Sequence, residues 1–154
     1  MRFEWEGAPG AGAWQISTPP LLSTAPLIGS LRIFEEAGLG RIRAKSLAMT
    51  RYLMDLIEGT GLTEIPYGYR IGTPREDGRR GGHVAVEHDM GPRIARALKA
   101  RGIVPDFRQP DVVRLAPIAL YTTYQECWET VRHLREIIDA GEHLTGDAGR
   151  DLVA

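Results

Sequence analysis

From residue 20 onward, apolar side chains return every three or four positions: Leu21, Leu22, Ala25, Leu27, Ile28, Leu31, Ile33 and Phe34. That period predicts helix, and Pro20 suits a first helical turn, where an amide has no intrahelical acceptor anyway. Pro26 falls inside the run. It either kinks one helix or opens a second one after a short segment over 21–24. Gly38 and Gly40 bracket a break, and 41–58 is then helical through Ile42, Leu47, Met49, Leu53, Leu56 and Ile57, with Gly59 and Gly61 as the stop. Most of these apolar positions are expected in the core.

The period then shortens. Residues 63–73 hold a short strand in which Tyr69 and Ile71 alternate, closed by Thr73-Pro74. REDGRRGG (75–82) is polar and glycine-rich and lacks the lysine ending of a phosphate loop, so it reads as a hairpin-like connection. HVAVEH (83–88) alternates as a half-buried strand with Val84 and Val86 on one face. His83 and His88 then lie on opposite faces and cannot share a metal without a bulge, so no metal site is expected. A helix follows from Asp89 or Met90 through Pro92 to Arg101, with Ile94, Ala95 and Leu98 inward and Gly102 as the stop. Strands over 103–107 and 112–115 are joined by a turn at Gln109-Pro110-Asp111. Thr122 or Thr123 caps a last helix to about residue 140, and Glu126 completes a capping box if Thr123 is the cap. Tyr124, Cys127, Trp128, Val131, Leu134 and Ile138 form its core stripe.

The order predicts an α+β fold, a small and mostly antiparallel sheet with helices packed on it. Residues 1–20 form an irregular lead-in, 21–140 the domain and 141–154 a polar tail.

At 154 residues the chain is long enough for one domain with a real core. A formal net charge of −1 with scattered arginines gives no electrostatic case for nucleic acid. No apolar run approaches the roughly 18 residues of a membrane span, and the N-terminus lacks a signal pattern. Cys127 is the only cysteine, which excludes an intramolecular disulfide and fits a reducing, cytoplasmic setting. It is expected to be a buried helix residue rather than a reactive thiol.

Candidate chemistry concentrates in PDFRQPDVVRLAPIALYTTY (105–124). Arg114 stands among Val112, Val113, Leu115 and Ala116, and strand alternation puts it on the face opposite Val113 and Leu115. A guanidinium so placed must find an anion. It is either a bidentate clamp for a ligand carboxylate or one half of a structural pair with an acid such as Asp106 or Asp111.

Four blocks together resemble the C-terminal part of the kynureninase family: ISTPPLLS (16–23), GSLRIFEEAGLGRIRAKSLAMTRYLMDLIE (29–58), TPREDGRRGG (73–82) and RGIVPDFRQPDVVRLAPIALYTTYQE (101–126). The family comprises pyridoxal 5'-phosphate (PLP) enzymes of the aspartate-aminotransferase fold, and the resemblance implies the C-terminal small domain of that fold type. It implies hydrolysis of L-kynurenine or 3-hydroxykynurenine to an anthranilate and L-alanine, in tryptophan catabolism and NAD biosynthesis, by a homodimer. By the same resemblance Arg114 holds the substrate α-carboxylate. Thr18, with Ser17 as a weaker candidate, reaches the cofactor phosphate and substrate of the adjacent subunit. From residue chemistry alone Thr18 reads as a turn hydroxyl before two prolines. The two lysines, Lys45 and Lys99, do not resemble the family's aldimine-forming lysine motif. The expectation is therefore a truncated or split enzyme whose large PLP-binding domain is elsewhere, inactive alone and with no catalytic residue of its own. The alternative is a non-catalytic α+β binding module that keeps the fold.

Overall fold

A computed structural model describes residues 6–15 and 17–145 of the chain. Residues 1–5 and 16 of the expected lead-in, and 146–154 of the expected tail, lie outside the described residues.

The chain forms two compact units, 1–39 and 40–154. In the first unit a short 3-10 helix, Gly10–Trp14, precedes α1 (Leu21–Thr24) and α2 (Leu27–Ala37). Pro26 caps α2 at its N-terminus, so it opens a new helix and does not kink an old one. The apolar positions of these helices do not form a core. Leu22 is 93% exposed and Leu31 57%, and no residue of α1 or α2 is buried. Periodicity reported amphipathic helices correctly; the expectation of burial fails because a face needs a partner as well as a period.

The second unit holds α3 (Leu39–Gly59, whose first residue belongs to the first unit), β1 (Arg70–Ile71), β2 (Val84–Glu87), α4 (Gly91–Ala100), β3 (Asp106–Arg108), β4 (Val112–Leu115) and α5 (Tyr124–Asp139). The break before α3 sits at Gly38, with φ 79°, a left-handed value that costs a residue without Cβ little. All strand pairs are antiparallel in the order β1-β2-β4-β3. The fold is α+β, as the alternation of periods predicts. β1 and β3 are shorter than expected, and the turn at 109–111 contains a cis Gln109–Pro110 bond.

One face of the sheet presents Val84, Val86, Val113 and Leu115 to a single core cluster with Met49, Leu53, Met54 and Ile57 of α3, Ile94 and Leu98 of α4, and Val131, Leu134 and Ile137 of α5. At roughly 1.5–3 kcal/mol per fully buried aliphatic side chain, this cluster is the main source of stability. Tyr69 is buried with it and donates its hydroxyl to the Leu134 carbonyl at 2.9 Å. Burial holds its phenol well above the usual range. Helix α5 starts as the sequence predicts. Thr123 and Glu126 form a reciprocal capping box, which satisfies two end amides at once. Cys127 is buried, and burial pushes its thiol up. Tyr124 and Trp128, expected in the same stripe, are instead half-exposed.

The connection 72–83 differs most from its composition. Arg80 is buried within it, its side chain fully covered. Its Nε donates to Thr50 Oγ1 at 3.2 Å, Nη2 donates to the Leu47 carbonyl at 3.2 Å and pairs with Asp77 at 2.6 Å, and Nη1 donates to the Arg75 carbonyl. The loop is thereby tied to α3, which fixes where β2 begins. In the expected tail, a 3-10 turn at Glu142–Leu144 is likewise engaged, through Glu142 and Arg101.

Candidate functional site

Alternation decides what the second face of the sheet carries. With Val113 and Leu115 turned into the core, Arg114 and Val112 face the other way. The register places Ala85 beside Arg114 on β2 and Asp106 beside it on β3, and sets Arg70 against Glu87 at the far end. Asp106 and Arg108, two residues apart on β3, share that face by the same period.

The two ends of this face differ in charge. At one end Arg70 is surrounded by carboxylates: Asp111 at 3.0 Å, Asp89 at 3.2 Å and Glu87 at 3.8 Å. The hydrogen bond to Asp89 is the leading reason its guanidinium stays firmly charged. At the other end the ratio is reversed. Asp106 Oδ2 pairs with Arg114 Nη2 and accepts from Arg108 Nε at 3.0 Å, so one carboxylate serves two guanidinium groups.

Of the two acids that could have paired with Arg114, Asp111 is taken by Arg70 and Asp106 is the partner. That pair does not close the position. Arg114 has 33% of its side chain exposed and Asp106 44%, and partly exposed ion pairs contribute about 0–1 kcal/mol. A ligand carboxylate meeting a planar guanidinium gains charge-assisted hydrogen bonds of about 1.5–3 kcal/mol. Arg108, bonded to the same Oδ2, shares the charge of Asp106 with Arg114. Arg108 was not singled out from the sequence; the spacing of Asp106 and Arg108 on one strand was the available signal.

A separate cleft of about 420 Å³ opens between the segment 101–105, the end of β4 and α5, lined by Arg101, Ile103, Pro117, Glu126, Thr130 and His133 among others. Its cation is already saturated. Arg101 pairs with Glu142 at 2.5 Å and Glu136 at 2.7 Å and meets His133 Nδ1 at 2.8 Å. Its hydrogen bonds hold both carboxyls below their usual range. Arg101, the arginine among its lining residues, is thus already engaged by carboxylates of this chain.

Ser17 and Thr18 lie in the first unit, in the exposed irregular segment before Pro19 and Pro20, where the Ser17 carbonyl accepts from Gln15 Nε2 at 3.1 Å. Lys45 donates to the Thr122 carbonyl at 3.2 Å, and Lys99 stands exposed in the last turn of α4. Neither lysine is among the residues lining the cleft described above, although Lys45 bonds to Thr122 of its wall. The residues of this chain therefore do not fit a complete PLP site.

Comparison with known proteins gives a consistent result. The model of the kynureninase C-terminal domain family matches residues 42–134, a span that contains Asp106, Arg108 and Arg114. A kynureninase of Bacillus thuringiensis subsp. konkukian is 52% identical over 154 residues, covering 100% of this chain and 35% of that protein. A kynureninase of Geobacillus thermodenitrificans is 51% identical over 145 residues, covering 94% of this chain and 33% of that protein. One from Shouchella clausii is 49% identical over 144 residues. The chain spans about a third of the length of the curated relatives it matches.

Proposed function

Because the chain belongs to the kynureninase C-terminal domain family, we propose that it supplies the carboxylate-binding part of a PLP-dependent kynureninase acting on L-kynurenine or its 3-hydroxy form. The observation that carries this reading is the positive surplus at Arg114 and Arg108 around the single carboxylate of Asp106.

Arg114 receives the α-carboxylate of the amino acid substrate on the charged face of the sheet. Its planar donors fix the orientation of that carboxylate, and with it the Cα that bears the scissile side chain. The PLP and the lysine that carries it belong to the remainder of the enzyme, as does every bond-breaking step. Thr18, with Ser17 beside it, extends from the first unit toward the cofactor phosphate of an adjacent subunit, which makes the working enzyme a homodimer. The exposed apolar side chains of α1 and α2 are contact surface for the rest of that enzyme. Among the described residues no helix is long and apolar enough to cross a membrane, and a buried, lone thiol suits the cytoplasm.

The test supplies the amino-terminal two-thirds of the Geobacillus thermodenitrificans relative to this chain, in trans or as one polypeptide. The assembly is expected to gain a PLP absorbance band and to cleave L-kynurenine. Arg114→Lys, which keeps the charge but loses the planar fork, should then raise KM for L-kynurenine about tenfold or more. An unchanged KM in that variant defeats the assignment.

A further inference from the structure

Arg114 and Asp106 meet because they are register partners across the β3–β4 ladder. Directly opposed residues on one face of an antiparallel pair hold their Cβ atoms about 4.5–5.5 Å apart, so the ladder itself delivers the carboxylate to the guanidinium. The pair sets Arg114 Nη2 against one carboxylate oxygen, Asp106 Oδ2, and a guanidinium carries five N–H donors in one plane, more than one such contact uses. An arginine without such an anchor keeps its rotamer freedom until the ligand arrives and loses it then, at the expense of affinity. A carboxylate acting alone would have the opposite effect, since it would occupy the cation it orients. Here Arg108 donates to the same Oδ2 at 3.0 Å and offsets its charge.

We propose that Asp106 is the positioning residue of Arg114, and that Arg108 is the balancing cation that prevents Asp106 from competing with the substrate carboxylate. The functional half of this inference rests on the reading of Arg114 given above. The structural half, that Asp106 restrains the Arg114 side chain, stands without it.

Both halves are measurable. In the 154-residue chain, guanidinium nitrogen resonances are compared between the unaltered protein, Asp106→Asn and Asp106→Glu, with Arg114→Lys identifying the Arg114 signals. Slow rotation of the Arg114 guanidinium is expected, becoming about tenfold faster in Asp106→Asn and slow again in Asp106→Glu. Rotation that is already fast, or unaltered in Asp106→Asn, overturns the proposal.

In the assembled enzyme, Asp106→Asn should raise KM for L-kynurenine about tenfold while kcat stays within about twofold, and Asp106→Glu should recover most of the loss. Arg108→Ala should raise KM in the same way, by leaving Asp106 to compete. A KM that is unchanged or lower in Asp106→Asn, in an enzyme where Arg114→Lys does raise it, overturns the positioning role and leaves the carboxylate reading intact. A KM insensitive to Arg114→Lys, with the rotation still controlled by Asp106, removes the carboxylate reading and leaves the restraint.

Discussion

Replacing Arg80 by alanine should destabilise the protein by about 3 kcal/mol, although the residue sits in a stretch whose composition resembles a solvent-exposed loop. The partners of Arg80 decide the figure. After its loss Thr50 still donates to the Ser46 carbonyl at 2.9 Å, and Asp77 is still held by Arg51 at 2.9 and 3.0 Å, so neither is left alone. The Arg75 carbonyl does lose its Arg80 donor, a loss of about 1–3 kcal/mol. The emptied volume under the loop adds about 1–2 kcal/mol. No buried charge is stranded, because Asp77 is about half-exposed, which keeps the total at the lower end of the roughly 3–5 kcal/mol typical of a broken buried ion pair. For a chain of this size the shift in Tm is about 6–12 °C downward. Arg80→Met fills much of the space and should lose only about half as much. Thermal and urea unfolding followed by circular dichroism give the numbers. Arg79→Ala, whose side chain is 71% exposed, serves as the control expected within about 0.5 kcal/mol of the unaltered protein. If Arg80→Ala and Arg79→Ala unfold together, the loop is not anchored through Arg80.

Two other sites yield distinct expectations. A Cβ at Gly91 would lie 2.6 Å from the Asp111 carbonyl oxygen and 3.2 Å from Phe107 Cε2, so Gly91→Ala should push α4 off the β3–β4 turn and lower stability by about 1–3 kcal/mol; an unshifted denaturation midpoint would contradict that close approach. His88 accepts the Met90 amide on Nδ1 at 2.9 Å, which places its proton on Nε2 toward the Tyr67 carbonyl at 3.0 Å. Burial is the main cause that lowers its pKa in the fold, against opposing and reinforcing effects from Asp89, Arg70 and His143. The unfolded chain therefore takes up the proton first. Stability is complete above the ordinary histidine value of about 6.5 and falls as the pH drops through and below it. Urea midpoints between pH 5 and 7.5 should show a slope that His88→Gln reduces, and equal slopes for the two proteins would exclude His88 as its source.

Local rules carried the reading wherever an element is governed by its own residues. Thr123 and Glu126 contain the whole logic of their capping box within four positions, and Val84, Val86, Val113 and Leu115 announce the buried face of the sheet by alternation alone. The candidate site was half legible. Alternation identified Arg114 as a charge turned away from the core, but choosing between Asp106 and Asp111 required the strand register and the prior claim of Arg70 on Asp111. Three features depend on distant parts of the chain and were invisible. Arg80 is buried because α3 offers it the Leu47 carbonyl and Thr50, and its polar, glycine-rich neighbours give no hint of that. Arg101 meets Glu142 across 41 positions. The apolar stripe of α2 has the period of a core helix, yet its residues lie exposed because period reports a face and not what covers it.

The two outer strands of the sheet, Arg70–Ile71 and Asp106–Arg108, are two and three residues long and carry charges. A margin so brief gives an incoming strand few amides and carbonyls to zip onto, and burying the arginines there would be unfavourable. The protein can thus hold out a broad ionic surface without becoming a template for fibrils. Growth sideways is disfavoured at both rims, while a third of the Arg114 side chain stays in contact with solvent.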